Sequence, residues 1–270
     1  MIWNMVTVQP KMNPVPDGFV PNKALGQNFL SNNLVIDSIL DAAQIDSKRV
    51  LEIGPGTGAL TEGLLRRACF LAAVEKDGRL CDFLLSRLGG ALTLLHADML
   101  DADILSLMGP EPWHAVGNLP YYATTPIMLR LLSLLPASMT LMVQKEAADR
   151  FFARPGDRVY GPVAVASQCF YSAEIVIQVP RASFNPPPEV DSVVVHLTRN
   201  STMAADATGF LLWTKQAFSM RRKTLYNSLL KDARLPDTLL ALLLPADVRA
   251  EALIPETLLQ IFQMLLTQPE

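Results

Sequence analysis

The run Asn118-Leu119-Pro120-Tyr121 combines residue types that can hold a planar amine. The side-chain oxygen of Asn118 can accept one N–H of an exocyclic amino group, and a backbone carbonyl near the proline can accept the other. Tyr121 offers an aromatic face for a base, and such stacking is worth roughly 1–3 kcal/mol in nucleic-acid complexes. The same residue types also end strands in ordinary turns. The run alone therefore leaves a binding site and a structural turn both open.

A second candidate site lies where a short apolar strand meets a glycine-rich turn. In the sequence Val50-Leu-Glu-Ile-Gly54-Pro-Gly56-Thr-Gly58, glycines remove the Cβ atoms that would keep a ligand away from the backbone. Glu75 ends the next predicted strand, where a carboxylate can accept both hydroxyls of a ribose. These residues predict a site for a nucleoside-containing cofactor.

NAD and S-adenosylmethionine are the two cofactors that this layout suggests. The glycines run G-x-G-x-G rather than G-x-G-x-x-G, and Pro55 changes the turn that would hold a pyrophosphate. Asp98 follows the third predicted strand and suits the amino group of an adenine, although it can also cap a helix beginning near Leu100. A glycine turn, a ribose acid and an adenine acceptor after successive strands favour S-adenosylmethionine.

The charge of the chain bears on its partners. A net charge of −3 argues against nucleic-acid binding unless basic residues cluster locally. Arg221, Arg222 and Lys223 form the densest basic group. Their interleaving with Phe218 and Leu225 predicts an amphipathic helix with a basic outer face. That face either contacts phosphates or is an ordinary solvated surface.

The elements that position these residues alternate between strands and helices. Strands separated by helices predict an α/β fold with a parallel sheet covered on both faces. The predicted strands are Arg49–Ile53, Phe70–Glu75, Ala91–His96, Trp113–Gly117, Met139–Gln144, Ile175–Val179 and Ser192–Thr198. Helices are predicted from about Ala59 to Arg67 and through Cys81–Leu85.

The chain divides into three predicted parts. Residues 1–21 contain four prolines and predict an extended tail. Residues 22–200 carry the alternating pattern of the cofactor-binding domain. Residues 201–270 contain leucine-rich segments broken by prolines and predict a small helical domain.

Composition excludes several classes of protein. No apolar run is long enough to span a membrane, and the N-terminus lacks the layout of a signal peptide. The cysteines Cys69, Cys81 and Cys169 are odd in number and form no Cys-x-x-Cys pair. This pattern predicts reduced thiols, no metal site and a cytoplasmic location.

Six motifs together resemble the ribosomal RNA adenine dimethyltransferases of the KsgA type. They occur in that family's order, and the series is specific although each motif alone is weak. The motifs are Lys23-Ala-Leu-Gly-Gln-Asn-Phe-Leu30, Glu52-Ile-Gly-Pro-Gly-Thr-Gly58, Asn118-Leu-Pro-Tyr121, Gln144-Lys-Glu146, Phe184-Asn-Pro-Pro-Pro-Glu-Val-Asp-Ser192 and Phe218-Ser-Met-Arg-Arg-Lys-Thr-Leu225. The resemblance implies a Rossmann-like methyltransferase domain with a small helical domain. It also implies double N6-methylation of two adjacent adenosines near the 3′ end of small-subunit rRNA.

The resemblance also implies roles for individual residues. Asn118, Leu119, Pro120 and Tyr121 would bind the target base, with Phe184 as the opposing stacking face. The clustered charge of Arg221, Arg222 and Lys223, rather than the resemblance, makes these residues the candidates for RNA contact. The residues expected around S-adenosylmethionine are Asn28, Leu30, Gly54, Gly56, Glu75, Lys76, Asp98, Met99 and Asn118.

Two other interpretations stay open at this point. The sister family that methylates large-subunit rRNA shares the domain and the Asn-x-Pro-aromatic motif, although the segments at 184–192 and 221–225 favour the small-subunit enzymes. The protein could also act chiefly as a ribosome-assembly factor, with catalysis secondary. In the small-subunit interpretation the expected partners are the small ribosomal subunit and its rRNA. No membrane or metal is expected, and the free protein is expected to be monomeric.

Overall fold

The computed structural model describes residues 19–22, 25–200 and 206–267, which form two compact units. The first unit comprises the described residues up to Tyr122 with Met139–Gln144 and Ile175–His196. The second comprises Ala123–Ser138, Lys145–Glu174 and the described residues from Leu197 onward. These bounds differ from the predicted division at residue 200, which stays a prediction. The predicted tail lies outside the described residues except for residues 19–21.

Nine strands and eleven α-helices occur among the described residues. The strands are β1 (Phe29–Leu30), β2 (Arg49–Ile53), β3 (Phe70–Glu75), β4 (Thr93–His96), β5 (Trp113–Asn118), β6 (Ser138–Gln144), β7 (Tyr171–Val179), β8 (Phe184–Asn185) and β9 (Ser192–Arg199). The helices are α1 (Asn33–Ala43), α2 (Thr61–Arg67), α3 (Gly78–Leu88), α4 (Ile104–Met108), α5 (Thr124–Leu134), α6 (Lys145–Phe152), α7 (Pro162–Phe170), α8 (Ala207–Ala217), α9 (Leu225–Ser228), α10 (Leu235–Ala241) and α11 (Pro255–Thr267).

A seven-stranded sheet in the order β4-β3-β2-β5-β6-β9-β7 is the framework of the first unit. Strand β2 is parallel to both β3 and β5, and β3 is parallel to β4. The predicted α/β fold and its parallel pairing are confirmed. All seven predicted strands are present, and their bounds differ from the prediction by a few residues at most.

The centre of the sheet is apolar because its strands are covered on both faces. In β2 every residue after Arg49 is buried, including Glu52. Gly117 of β5 lies beside Ile53 of β2, and a Cβ added at Gly117 would lie 2.6 Å from the carbonyl oxygen of Ile53. The close approach of the two strands therefore requires glycine immediately before Asn118.

Helix α1 was not predicted from the sequence, although its signals are present. The Asn32 side chain caps it by accepting a hydrogen bond from the Leu34 N–H. Its buried face includes Ile36, Ile39 and Leu40, at the spacing of an amphipathic helix. These side chains join the core that also holds residues of β2, β3 and β5.

Strands β1 and β8 form a separate antiparallel pair, which pattern alone did not reveal. Leu30 pairs with Phe184, and Phe29 pairs with Asn185. Each strand is two residues long, too short to show alternation in a sequence. The pair joins the segment before α1 to the segment before β9, which are distant in the chain.

The second unit is built from helices. Helix α7 contacts α5, α6, α8 and α11. Four aromatic rings pack together at its centre, and they belong to Phe170, Phe210, Trp213 and Phe262. The helical nature of residues 206–267 is confirmed, and no strand occurs in that range. None of the helices in the described part of the chain is long and apolar enough to cross a membrane.

Two local predictions were wrong. The helix expected near Leu100 begins at Ile104 and is capped by Asp103, because Asp98 instead closes a turn with the Leu100 N–H. The basic run at 221–223 lies in the turn between α8 and α9 rather than on a helix. Helix α8 ends at Ala217, so the residues after it do not share the amphipathic helix that their spacing predicted.

Candidate active site

The predicted site residues of the first unit lie at the carboxyl ends of adjacent parallel strands. Gly54 follows β2, Glu75 ends β3 and Asn118 ends β5. Because β2 pairs with both neighbours in parallel register, these ends meet at one edge of the sheet. Ligands bind at this edge in open α/β sheets.

The glycine turn forms a backbone surface at the centre of this edge. Gly54 and Gly56 have φ angles of 64° and 59°, in the left-handed region that favours glycine. A Cβ at Gly56 would lie 3.4 Å from the Phe29 ring, and one at Gly54 would lie 3.8 Å from the Asn118 carbonyl oxygen. Side chains at these positions would fill the space between the turn and its neighbours.

Glu75 is held by the glycine turn itself. Its Oε2 accepts the Gly56 N–H at 3.1 Å, and its Oε1 accepts the Asp77 N–H at 2.8 Å. Burial raises the pKa of Glu75, and these backbone donors oppose that shift. Each carboxyl oxygen thus accepts a backbone donor, and a carboxylate oxygen that accepts one hydrogen bond can accept another from a hydroxyl.

Lys76 and Asp98 form an ion pair beside this acid. The Lys76 Nζ lies 2.7 Å from Asp98 Oδ2, while Asp98 Oδ1 accepts the Leu100 N–H at 2.9 Å. The backbone bond from Leu100 and the neighbouring Lys76 lower the pKa of Asp98, so it is an ionised acceptor. The adjacent Met99 is buried.

A cavity of about 400 Å³ borders the same strand end. Its walls combine the start of α3 with the segment that precedes β1. The lining residues are Val20, Pro21, Asn22, Leu25, Lys76, Asp77, Gly78 and Arg79.

Asn118 is oriented by the segment before β1. Its Nδ2 donates to the backbone oxygen of Asn28 at 3.3 Å, so its Oδ1 forms the opposite, accepting edge. The next residue, Leu119, is buried, and its N–H donates to the Met142 oxygen at 3.0 Å. Pro120 and Tyr121 follow directly, so the whole predicted run is anchored at the end of β5.

Tyr121 is half-buried, and its hydroxyl lies 3.0 Å from Ser192 Oγ. Burial raises the pKa of Tyr121, so the phenol stays protonated. Tyr122 is more exposed, and Lys76 Nζ lies 5.8 Å from the centre of its ring.

Phe184 and Leu30 lie deeper than a surface role would suggest. They pair in β8 and β1, are 4% and 3% exposed, and belong to the hydrophobic core of the unit. The structure thus brings Phe184 into the core, and its predicted stacking role stays a prediction. Phe29, which the sequence did not single out, places its ring against Gly56.

Within the basic run of the second unit, Arg221 differs from Arg222 and Lys223 in the contacts it makes. Arg221 pairs with Glu251 at 3.1 Å and donates to the carbonyl oxygens of Arg158 and Asp157. All three residues of the run are exposed. Arg221 therefore braces its own unit, whereas the other two cations face solvent.

Comparison with protein-family sequence models identifies the family of this chain. The sequence model of the family described as ribosomal RNA adenine dimethylase matches residues 18–265. The chain belongs to this family. It is therefore an enzyme of the methyltransferase class, as the six motifs predict.

Curated relatives support the same assignment. A protein of Enterococcus faecalis named ribosomal RNA small subunit methyltransferase A is 42% identical over 225 residues, covering 78% of this chain and 76% of its own. A protein of the same name from Geobacillus thermodenitrificans is 43% identical over 233 residues, covering 82% and 79%.

Two solved structures share the fold across most of the methyltransferase. A dimethyladenosine transferase from Plasmodium falciparum has a TM-score of 0.71 at 28% identity and covers 88% of this chain and 97% of its own. The 23S rRNA methyltransferase ErmE has a TM-score of 0.62 at 28% identity and covers 88% and 99%.

Glu52 is an ionisable residue of the glycine motif to which the sequence assigned no role. It is 1% exposed, and its Oε2 has no hydrogen-bond partner among the described residues. Burial, reinforced by the charge of Glu75, raises its pKa to about 8. The sequence could have indicated this buried acid, because Glu52 lies between apolar residues inside a strand.

Among the described residues, no group of His, Cys, Asp and Glu is arranged to hold a metal ion.

Replacing Glu52 with Gln should remove a pH-dependent loss of stability. The folded pKa of about 8 exceeds the ordinary value of 4.5, so between these values the folded chain binds more protons than the unfolded chain. The unfolding free energy should therefore fall as pH rises through this window, by on the order of 1 kcal/mol per pH unit. Urea unfolding across the window measures the difference between wild type and Glu52→Gln.

The exposed Glu189 provides the control, because Glu189→Gln should follow the wild-type pH profile. Parallel profiles for wild type and Glu52→Gln would contradict a buried, protonated Glu52.

Proposed function

We propose that this methyltransferase dimethylates the N6 amino groups of two adjacent adenosines near the 3′ end of small-subunit rRNA. S-adenosylmethionine is the methyl donor in this proposal, and cytoplasmic ribosome assembly is its setting. The observation that carries the proposal is the orientation of Asn118. Its amide donor is taken by Asn28, so a carbonyl oxygen is presented beside the glycine turn.

The residues at the sheet edge fit S-adenosylmethionine. The glycine turn leaves a space that a Cβ at Gly54 or Gly56 would narrow. Glu75 has lone pairs for the ribose hydroxyls, and Asp98 is an ionised acceptor for the adenine amine. Asn28, Leu30, Lys76 and Met99 complete the proposed set, with buried Leu30 acting through its backbone. When bound, the cofactor supplies an electrophilic methyl group on a sulfonium.

The protein's part in the reaction is to prepare a weak nucleophile. The amino nitrogen of adenine is a poor nucleophile because its lone pair is delocalised into the ring. Asn118 Oδ1 accepts one N–H of this amine, and the carbonyl of Leu119 accepts the other. Two acceptors favour a pyramidal nitrogen whose lone pair is free for in-line attack. Catalysis then rests on positioning and preorganised electrostatics.

The target base needs a surface that replaces its stacking partners in RNA. The half-buried Tyr121 supplies one face, and its hydroxyl contact with Ser192 limits rotation of the ring. Pro120 restricts the backbone between Asn118 and Tyr121, which bind the base from its amine and from its ring face. Phe184 supplies the second face only if the core around β8 opens toward the base.

The electrostatics favour a structured substrate over naked RNA. Non-specific RNA affinity comes mainly from phosphate neutralisation, and the chain carries a net charge of −3. Of the basic run, Arg222 and Lys223 are the cations positioned for phosphates, because Arg221 is bound within its unit. Recognition therefore depends on the shape of an assembled particle that presents one splayed loop.

The choice of small-subunit over large-subunit rRNA rests on two supports. The curated relatives at 42% and 43% identity carry the small-subunit name. The fold match is also better for the dimethyladenosine transferase than for the 23S rRNA enzyme, with TM-scores of 0.71 and 0.62.

The cofactor assignment predicts the effect of Glu75→Ala. Removing the carboxylate deletes charge-assisted hydrogen bonds to the ribose, so the affinity for S-adenosylmethionine should fall roughly tenfold or more. Calorimetry measures this, with Glu189→Ala as a surface control that should bind normally. Binding of NAD, or an unchanged affinity in Glu75→Ala, would refute the assignment.

The substrate assignment predicts which RNA receives label. Under-methylated small subunits should be methylated efficiently, the same rRNA stripped of protein poorly, and large-subunit rRNA not at all. Mass spectrometry of nuclease digests should find dimethyladenosine at two neighbouring positions. Label mainly in large-subunit rRNA would establish the competing specificity instead.

A further inference from the structure

We infer that Gln27 and Asp77 are positioning residues for the methyl transfer, acting on Asn118 through the backbone of Asn28. The inference rests on the proposed function, because it explains how the accepting edge of Asn118 is selected. Neither residue belongs to the set proposed to touch the cofactor or the base. The hydrogen bond between them joins the segment before β1 to the end of β3.

Asp77 is a fully engaged carboxylate at the start of α3. It is 6% exposed, and its Oδ1 accepts both the backbone N–H and the Nε–H of Arg79 at 3.0 Å. Its Oδ2 accepts Arg79 Nη2 at 2.6 Å and Gln27 Nε2 at 2.8 Å. These donors hold the pKa of Asp77 at about 2, so the acceptor for Gln27 is a permanent charge.

Gln27 is held at both ends of its side-chain amide. While Nε2 donates to Asp77, Oε1 accepts the Asn22 N–H at 2.7 Å. The segment around Gln27 also lies beside Tyr122, since a Cβ at Gly26 would be in van der Waals contact with the Tyr122 ring at 3.4 Å. The next residue, Asn28, folds its side chain back onto the Gly26 oxygen at 3.1 Å. Gln27 therefore fixes the chain immediately before the Asn28 carbonyl.

The Asn28 carbonyl selects the orientation of the catalytic amide. It accepts from Asn118 Nδ2 at 3.3 Å. Turning the Asn118 amide over would set Oδ1 against this oxygen, and two acceptors in contact repel each other. The donor edge of the amide would then face the amine, where an acceptor is required. A displaced Asn28 carbonyl would remove this selection without removing any residue that touches the substrate.

Aromatic contacts reinforce the same segment. Arg79 lies over the Phe19 ring at 4.6 Å, and Phe19 packs edge-on against Phe29 at 5.8 Å between centroids. The Phe29 ring in turn lies beside Gly56, 3.4 Å from where a Cβ of residue 56 would be. The Asp77–Arg79 pair thus braces the chain on both sides of Asn28.

Single-turnover methylation of under-methylated small subunits tests the inference. Gln27→Ala and Gln27→Glu should slow the chemical step about ten- to a hundredfold, the usual consequence of a misplaced catalytic group. Affinity for S-adenosylmethionine should stay within a few-fold of wild type. The exchange Gln27→Glu with Asp77→Asn restores a donor opposite a carboxylate and should be faster than Gln27→Glu alone. The exposed Gln178→Ala is the control and should be unaffected.

An activity-independent readout separates this inference from the proposed function. In protein labelled with 15N-asparagine, the Asn118 side-chain amide should exchange its protons faster in Gln27→Ala than in wild type. Unchanged exchange, unchanged rates, a loss confined to cofactor affinity, or no gain in the double variant would each overturn the inference. If wild type methylates no RNA, the proposed function fails and the exchange measurement alone decides the positioning role.

Discussion

The parallel pairing of β2 with β3 on one side and β5 on the other is the constraint on which the site depends. It sets the glycine turn, the acid Glu75 and the amide Asn118 side by side, although they are far apart in the chain. The register tolerates little change, because Gly117 lies against the Ile53 carbonyl. A sheet shift of one residue would reverse the face of every side chain and separate the three groups.

The strands alone leave the amide of Asn118 without a defined orientation. The segment before β1 supplies it through the Asn28 carbonyl, and the short β1–β8 pair holds that segment in place. In the proposed mechanism no strong base is needed, since the protein's work is to present acceptors to a weak nucleophile. Most of the precision then resides in backbone carbonyls and their supports rather than in titrating side chains.

The sequence predicted the regular part of the fold and the residues at the strand ends. Buried parallel strands are mostly apolar, so β2, β3 and β5 could be recognised as short apolar segments between the predicted helices and turns. The β1–β8 pair could not, because two-residue strands carry no periodicity and their pairing is a long-range contact. The basic run at 221–223 illustrates a different failure, since the helical spacing was inferred from Phe218 and Leu225. Phe218 follows the end of α8, Leu225 begins α9, and a turn separates them. The link from Asp77 to Gln27 was also invisible, because side-chain hydrogen bonds between distant segments leave no local pattern.

Single-turnover kinetics of Asn118→Ala test whether the Asn118 oxygen prepares the amine for attack. Methyl transfer to under-methylated small subunits should be abolished, while calorimetry should find the S-adenosylmethionine affinity within a few-fold of wild type. If the variant still transfers methyl groups at a rate near wild type, another group must orient the amine and the role proposed for Asn118 is wrong.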